Sequence, residues 1–224
     1  MNLQPPLLHC HPLPSFDNSR LESIQQAFAS AQVCRMQQAW QPQPDSDLNI
    51  AEVRAGWQGD SLLVHATLPD RDIYNNTTDL NQETWRLGDV FEIFLRPKPQ
   101  QSYMEMHVTP HNHRLQLRFP EPVANLGVGK TRPLSDFFLT GPEVMESRTW
   151  IFPDQQVWHV YAEIPSHTAC EQPCPLPGTE WFFSFSRYDY IHGREKPIYS
   201  STSPHAVLNY HRQEEWGTLR FEQE

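Results

Sequence analysis

The feature that most constrains the fold is a run of three alternating segments between Thr84 and Phe119. In each segment apolar and polar side chains alternate with a period of two, which is the pattern of a β-strand with one buried face. The apolar face consists of Phe91, Ile93 and Leu95, then Met104, Met106 and Val108, then Leu115, Leu117 and Phe119. We assign the residues of the first two strands to the core. The opposite face then carries Glu92, Tyr103, Glu105, His107, Arg114, Gln116 and Arg118, besides the apolar Val90 and Phe94. Carboxylates, imidazole, phenol, amide and guanidinium together are typical of a surface that binds a polar ligand.

The rest of the chain also consists mainly of short alternating segments separated by prolines. A hairpin is predicted over residues 51–68, and further strands over 157–164, 181–188 and 217–222. Leu21, Ile24, Phe28 and Ala31 follow helical spacing. Residues 120–148 have no clear period and are predicted to be a long loop. We therefore predict one all-β domain, a jelly-roll-like antiparallel β-sandwich with a short N-terminal helix. Residues 1–47 would be an extension whose helix packs on the sandwich, and residues 48–224 the sandwich itself.

Composition excludes several kinds of partner. The formal net charge is −10 at pH 7 and the sequence pI is near 5.5. Because no cluster of Lys and Arg is present to neutralise phosphates, nucleic acid is not expected as a partner. An acidic surface also repels anionic membranes. No signal peptide is visible at the N-terminus, which slightly favours the cytoplasm. The sequence leaves the oligomeric state undetermined.

Cysteines and acidic loops allow two further features. Cys170 and Cys174 could form a disulfide within a loop, or all four cysteines could be free thiols. No cofactor is expected, although the polar loop before the three strands could hold calcium through carboxylate oxygens. Its candidate ligands are Asp70, Asp72, Asp79 and Glu83. His107, His111 and His113 lack a full set of partners, so no metal site is predicted from them.

Three segments carry a resemblance to a known family. The first is Trp85 with residues 88–95 (GDVFEIFL), and the second is residues 103–110 (YMEMHVTP). The third is the C-terminal half, with residues 181–188 (WFFSFSRY), 199–202 (YSST), 210–211 (YH) and 215–221 (EWGTLRF). In order and spacing, roughly over residues 48–222, these segments resemble the family 9 carbohydrate-binding modules and their family-9-like relatives.

The resemblance implies a sandwich that binds sugars without cleaving them. Family 9 modules hold the end of a glycan between two Trp rings, with carboxylate, amide and Arg groups on the hydroxyls. Trp85 stands at the position of one such ring, and Trp216 lies in the closing motif. Arg187 joins the polar face by this resemblance only. The resulting ligand-binding candidates are Trp85, Glu92, Tyr103, Glu105, His107, Gln116, Arg187 and Trp216.

Other interpretations of these residues stay open. Trp85 is either an exposed stacking surface or a residue of the core or its rim. Glu92, Glu105 and Arg187 either bind hydroxyls or form an internal salt-bridge network. The leading function is non-catalytic carbohydrate binding. The alternative is a structural or protein-interaction domain that keeps the fold without binding sugar. A glycosidase pair formed by Glu92 and Glu105 is a third reading. We expect Glu92, Glu105, His107, Gln116 and Arg187 to converge near Trp85.

Overall fold

Two β-sheets packed face to face form the protein in a computed structural model, which describes residues 4–174 and 176–223. Strands make up 39% of the chain and helices 13%. The strands are β1 (Leu7–Cys10), β2 (Val33–Arg35), β3 (Glu52–Gln58), β4 (Ser61–Pro69), β5 (Val90–Pro97), β6 (Tyr103–Val108), β7 (Arg114–Phe119), β8 (Glu146–Phe152), β9 (Val157–Pro165), β10 (Glu180–Asp189), β11 (Ile198–Ser201) and β12 (Gly217–Phe221). The α-helices are α1 (Leu21–Ala27) and α2 (Ser166–Ala169).

Sheet A has the strand order β1-β12-β10-β5-β6-β7, with β11 also paired to β10, and sheet B has the order β2-β3-β4-β9-β8. All pairs are antiparallel except β1 with β12. The predicted all-β antiparallel sandwich is confirmed. Within residues 1–47, β1 joins sheet A and β2 joins sheet B, so this segment is built into both sheets. The helix predicted near residues 20–31 is α1, which packs on the outer face of sheet B through Ile24 and, directly after the helix, Phe28.

The main core lies between the two sheets. Sheet A contributes the six side chains predicted for the inner faces of β5 and β6, and all six are buried: Phe91, Ile93, Leu95, Met104, Met106 and Val108. Sheet B contributes alternating residues of β3, β4 and β9, among them Val64, Val160 and Trp158. Burial of this apolar surface is the main favourable contribution to folding, at about 25 cal/mol per Å².

The predicted orientation of β7 is wrong. Leu117 lies directly opposite Glu105 on β6, and Gln116 lies opposite Met106. Because residues directly opposite each other share a face of the sheet, Leu115, Leu117 and Phe119 lie on the outer face. There they form a second apolar cluster with side chains such as Tyr103 and Trp216. The period of two was correct, but it cannot say which face is inner when both faces of a strand are covered.

Residues 120–148, predicted as a long loop, form much of the cover over this outer face. They contain 3-10 helices at Val123–Asn125, Leu134–Phe137 and Pro142–Val144, and they lead into β8, an edge strand that the alternation did not predict. Phe137 is buried against Phe119, with ring centroids 5.1 Å apart. The cover gives sheet A a second buried face.

Other predicted features have these outcomes. Cys170 and Cys174 form a disulfide, whereas Cys10 and Cys34 are buried free thiols. Within the described residues, no helix has the length and apolar character needed to cross a membrane.

Two buried histidines lie on the outer face of sheet B. The rings of His65 on β4 and His159 on β9 are stacked, with centroids 5.6 Å apart and planes 6° apart. Neither ring nitrogen of His65 has a hydrogen-bond partner. Burial, with the charge of His159 and of Arg54, lowers the pKa of His65 to about 3, and burial lowers that of His159 to about 4. Both rings are therefore neutral in the folded protein near neutral pH.

These histidines predict acid sensitivity. Histidines of the unfolded chain have a pKa of about 6.5. Below that pH the unfolded chain binds protons that the folded protein does not, so the free energy of unfolding falls as the pH drops. From pH 7 to pH 5, each of the two histidines should lower the free energy of unfolding by about 2 kcal/mol. Urea unfolding at pH 7 and pH 5 should show a smaller loss for His65→Gln than for the wild type. His111→Gln, at the exposed turn between β6 and β7, is the control and should lose as much as the wild type. An equal loss in all three proteins would contradict the prediction.

Candidate functional site

A cavity of about 450 Å³ opens on the outer face of sheet A. Its volume lies within the range of small-molecule sites, about 300–1,000 Å³. Side chains from β5, β6, β7 and β10 form its base, and the segments that cover the outer face form its walls. Of the predicted ligand-binding residues, Trp85, Glu92 and Glu105 line it.

Two carboxylates converge on one imidazole at the base of this cavity. β5 and β6 place Glu92 directly opposite His107, while Glu105 lies two residues before His107 on the same face. His107 Nε2 lies 2.8 Å from Glu105 Oε1 and 3.2 Å from Glu92 Oε1. Its other nitrogen, Nδ1, is hydrogen-bonded to Thr84 Oγ1 at 2.8 Å. Both sides of the ring are therefore held in place.

A second histidine connects this cluster to the cavity opening. His211 Nε2 lies 3.8 Å from Glu105 Oε2, and His211 Nδ1 is hydrogen-bonded to Tyr103 Oη at 2.9 Å. The His211 side chain is 30% exposed, against 9% for Glu105 and 3% for Glu92. Sequence reasoning missed His211 as a site residue, although it lies in one of the segments that carry the family resemblance. His211 and Tyr103 are more than 100 residues apart in the chain, so only the tertiary structure brings them together.

The two carboxylates have opposite pKa shifts. Burial, with a smaller contribution from the negative charge of Glu105, raises the pKa of Glu92 to about 8 against the pull of His107. Burial also acts to raise the pKa of Glu105, but His211 and His107 outweigh it and the pKa falls below its usual value. Burial acts to lower the pKa of His107, but the two carboxylates outweigh this effect and raise it. Near neutral pH these shifts favour a neutral Glu92 and an ionised Glu105, with the His107 ring between them.

Trp85 borders the cavity and is partly buried. It lies in the 3-10 helix Thr84–Arg86, and its ring meets that of His107 edge-on at 5.7 Å. Tyr190 holds this turn by donating its hydroxyl to the Trp85 carbonyl oxygen at 2.6 Å. Part of the indole therefore faces the cavity while its backbone is fixed.

Tyr103 and Trp216 belong to the outer apolar cluster below the cavity. Both are buried, with ring centroids 5.5 Å apart, and Trp216 donates its indole N–H to the Tyr210 carbonyl oxygen. Neither ring lines the cavity. They support the base of the site, and Tyr103 acts on it through His211.

The expected convergence of five polar residues is wrong for two of them. Gln116 lies on the other face of sheet A, where its amide donates to the carbonyl oxygens of Leu139 and Gly141. Arg187 lies opposite Phe91, and thus also on the inner face. Arg187 was assigned to the polar face by the family resemblance, which does not determine the face on which a side chain lies. Gln116 was assigned to it because the orientation of β7 was predicted wrongly.

Arg187 instead forms a separate buried ion cluster at the edge of the core. Its guanidinium lies 2.9 Å from Asp70 and 3.3 Å from Asp189, and it donates to the Pro69 carbonyl oxygen at 2.7 Å. Burial, together with the charge of Asp70, raises the pKa of Asp89 to about 9. Burial also raises the pKa of Asp189 to about 6 despite Arg187.

Within residues 4–174 and 176–223, two clusters have donor atoms close enough to hold a metal ion. In each of them the ligand atoms lie within 4.8 Å of one another: Glu92, Glu105 and His107 in one, and Asp70, Asp89 and Asp189 in the other. In the first cluster, the ring nitrogens of His107 already contact Glu92, Glu105 and Thr84. In the second cluster, the Arg187 guanidinium supplies the positive charge.

Each of the proposed calcium ligands has another partner within the protein. Asp70 contacts Arg187, and Asp72 contacts His192 at 2.7 Å. Asp79 is hydrogen-bonded to Thr78 and Gln82, and Glu83 pairs with Arg86. Calcium binding by this loop stays a prediction.

Structural comparison identifies the class of fold. No family model matches the sequence, and no curated protein is significantly similar to it. A protein from Bacteroides uniformis for which carbohydrate binding has been suggested superimposes with a TM-score of 0.70 at 15% identity, covering 98% of both chains. A family 9 carbohydrate-binding module from Caldicellulosiruptor kristjanssonii in complex with cellotriose gives 0.65 at 14% identity, covering 98% of this chain and 95% of the module. A complex of a family 9 module from the same organism with glucose gives 0.63 at 14% identity, covering 99% and 97%. The chain therefore has the fold of family 9 carbohydrate-binding modules.

The opposite shifts of Glu92 and Glu105 predict opposite effects of amide substitution. The raised pKa of Glu92 means that the wild type loses stability as the pH rises from about 4.5 to 8, because the unfolded chain releases this proton first. Glu92→Gln keeps a neutral group there and should gain stability relative to the wild type over that range. Glu105→Gln removes a charge-assisted hydrogen bond and should lower the free energy of unfolding by about 1.5–3 kcal/mol at pH 7. Urea unfolding at pH 5, 7 and 8 measures both, and equal losses in the two variants would refute the assignment.

Arg187→Met should destabilise the fold without affecting the cavity. It leaves Asp70 and Asp189 buried without their cation, for which we expect a loss of about 3–5 kcal/mol. Arg96→Met is the matched control, since Arg96 lies on the neighbouring strand β5 and stacks on Phe182 at a partly exposed position. A loss for Arg187→Met no larger than that of the control, measured by urea unfolding, would argue against the buried cluster.

Proposed function

We propose that the protein binds the end of a saccharide, without cleaving it, in the cavity on the outer face of sheet A. In this proposal the exposed part of Trp85 packs against the C–H face of a sugar ring, and Glu105 and His211 bind its hydroxyls. The observation that carries the proposal is an ionised carboxylate, Glu105, that lines a cavity next to a partly exposed indole. An ionised carboxylate is acceptor-only, which suits the hydroxyl donors of a sugar.

Preorganisation of Glu105 supports this role. His107 holds one carboxylate oxygen at 2.8 Å, while the other faces His211 at 3.8 Å, beyond hydrogen-bond distance. A hydroxyl that approached this second oxygen would meet a fixed acceptor with remaining capacity, and charge-assisted hydrogen bonds are about twice as strong as neutral ones. The glucose and cellotriose in the complexes of the C. kristjanssonii family 9 modules are further support.

Two observations favour the alternative, a structural or interaction domain. Glu92, His107 and Thr84 satisfy one another inside the sheet, as they would in a network that only stabilises the fold. Trp216 is buried, so among the described residues Trp85 is the only indole that lines the cavity.

One observation also favours catalysis. A carboxyl group with a raised pKa beside one with a lowered pKa is the arrangement of a general acid and its partner. Here His107 lies between them, and their oxygens are within 4.8 Å. A glycosidase pair, however, needs its carboxyl groups on either side of the scissile bond, and here His107 occupies the place between them. We therefore expect no release of nitrophenol from 4-nitrophenyl glycosides.

Calorimetry with glucose, cellobiose and cellotriose tests the proposal. Trp85→Ala should weaken binding at least tenfold, because it removes the stacking surface, and Glu105→Gln should weaken it about tenfold or more, because a charge-assisted hydrogen bond contributes about 1.5–3 kcal/mol. Trp150→Ala removes an indole from sheet B and serves as the matched control, with unchanged affinity expected. A folded wild type that binds none of these sugars, nor any glycan on an array, would instead support the structural alternative.

A further inference from the structure

The walls of the cavity are strongly unequal in polarity. Glu105 and His211 lie at 3.8 Å from each other and form a polar corner with Asn209. The segment between β7 and β8 contributes a wall of branched aliphatic side chains, namely Val123, Val128 and Leu134, to which Leu117 and Leu208 add. Val123, Val128 and Leu134 are only partly buried in the fold.

An aliphatic wall is a poor surface for a second sugar ring. A pyranose carries hydroxyls around its whole edge, and a hydroxyl that leaves water without finding a partner costs free energy. Val, Leu and Ile side chains offer no donor or acceptor. A group without hydroxyls, in contrast, would gain from burial against the same wall.

The cavity opening repeats this character. Leu208 lines the cavity and is 43% exposed, and its neighbour Val207 is 53% exposed. Val207 and Leu208 therefore add exposed aliphatic surface beside the cavity. Leu208 and the aliphatic wall line the same cavity as the polar corner.

We infer that the ligand is a glycoside with an apolar aglycone, an alkyl or aryl group that lies against Val128, Leu134 and Leu208 while its sugar occupies the corner at Glu105 and His211. This inference rests on the function proposed above and narrows its substrate class. A longer oligosaccharide would place hydroxyls against the aliphatic wall, whereas an aglycone places carbon there.

Calorimetry with a series of β-D-glucosides tests the inference. Octyl β-D-glucoside, kept below its critical micelle concentration, and phenyl β-D-glucoside are compared with methyl β-D-glucoside and cellobiose. We expect the octyl glucoside to bind at least tenfold more tightly than the methyl glucoside, and more tightly than cellobiose. 1,2-Octanediol, which has the chain without the sugar, should bind at least tenfold more weakly than octyl glucoside.

Variants of the wall localise the effect. Leu208→Ser should reduce the advantage of octyl over methyl glucoside at least threefold and leave the affinity for methyl glucoside within twofold of the wild type. Leu80→Ser is the matched control, because Leu80 is 42% exposed and does not line the cavity. It should change neither affinity. Thermal unfolding of both variants verifies that they fold.

The outcomes separate this inference from the function on which it rests. If methyl glucoside and cellobiose bind as tightly as octyl glucoside, the aglycone assignment is wrong and saccharide binding stands. If octanediol binds as tightly as octyl glucoside, or if Leu80→Ser acts like Leu208→Ser, the aglycone assignment is also wrong. If no glucoside or other glycoside binds, the proposed function itself fails and the inference falls with it.

Discussion

Burial of sheet A on both faces is the constraint on which the other features depend. One face packs on sheet B, and the other is covered by the segment after β7 and by the chain around Tyr210 and Trp216. Every residue of β6 is consequently buried, and so is nearly every residue of β5. A charged side chain on these strands must then find its partner inside the protein, because an unpaired buried charge costs several kcal/mol. Glu92, His107 and Glu105 meet this requirement by pairing with one another.

The same constraint defines the candidate site. The cover over the outer face is incomplete, and the remaining cavity reaches down to Glu105. Because His107 holds Glu105 at the base of the cavity, the carboxylate faces the cavity with a fixed orientation. The charges of His211 and His107 lower its pKa against the effect of burial. A polar ligand would meet an acceptor that needs no reorganisation, which reduces the entropic cost of binding. The aliphatic residues that complete the cover give the cavity its second, apolar wall.

Charge is divided between two buried clusters on opposite faces of sheet A. Arg187 compensates Asp70 and Asp189 on the inner side, and His107 compensates Glu105 on the outer side. Neighbouring residues of β10 show how this division arises, since Ser186 lies opposite Glu92 and Arg187 lies opposite Phe91. A shift of one residue in this pairing would exchange the two faces. Strand register therefore decides which charged groups belong to the cavity and which to the fold.

The sequence by itself determined the strand periods, the sandwich class, the inner faces of β5 and β6, and the association of Glu92, Glu105 and His107. These follow from local alternation, because side chains two residues apart share a face. Only the tertiary structure decided the orientation of β7, the inner position of Arg187 and Gln116, and the part played by His211. Alternation marks two faces without naming the inner one, and β7 packs its apolar side chains against a second cover formed by residues 123–138 and the chain around Tyr210. Contacts between residues far apart in sequence, such as Tyr103 with His211, follow from register and loop packing, which no local pattern encodes.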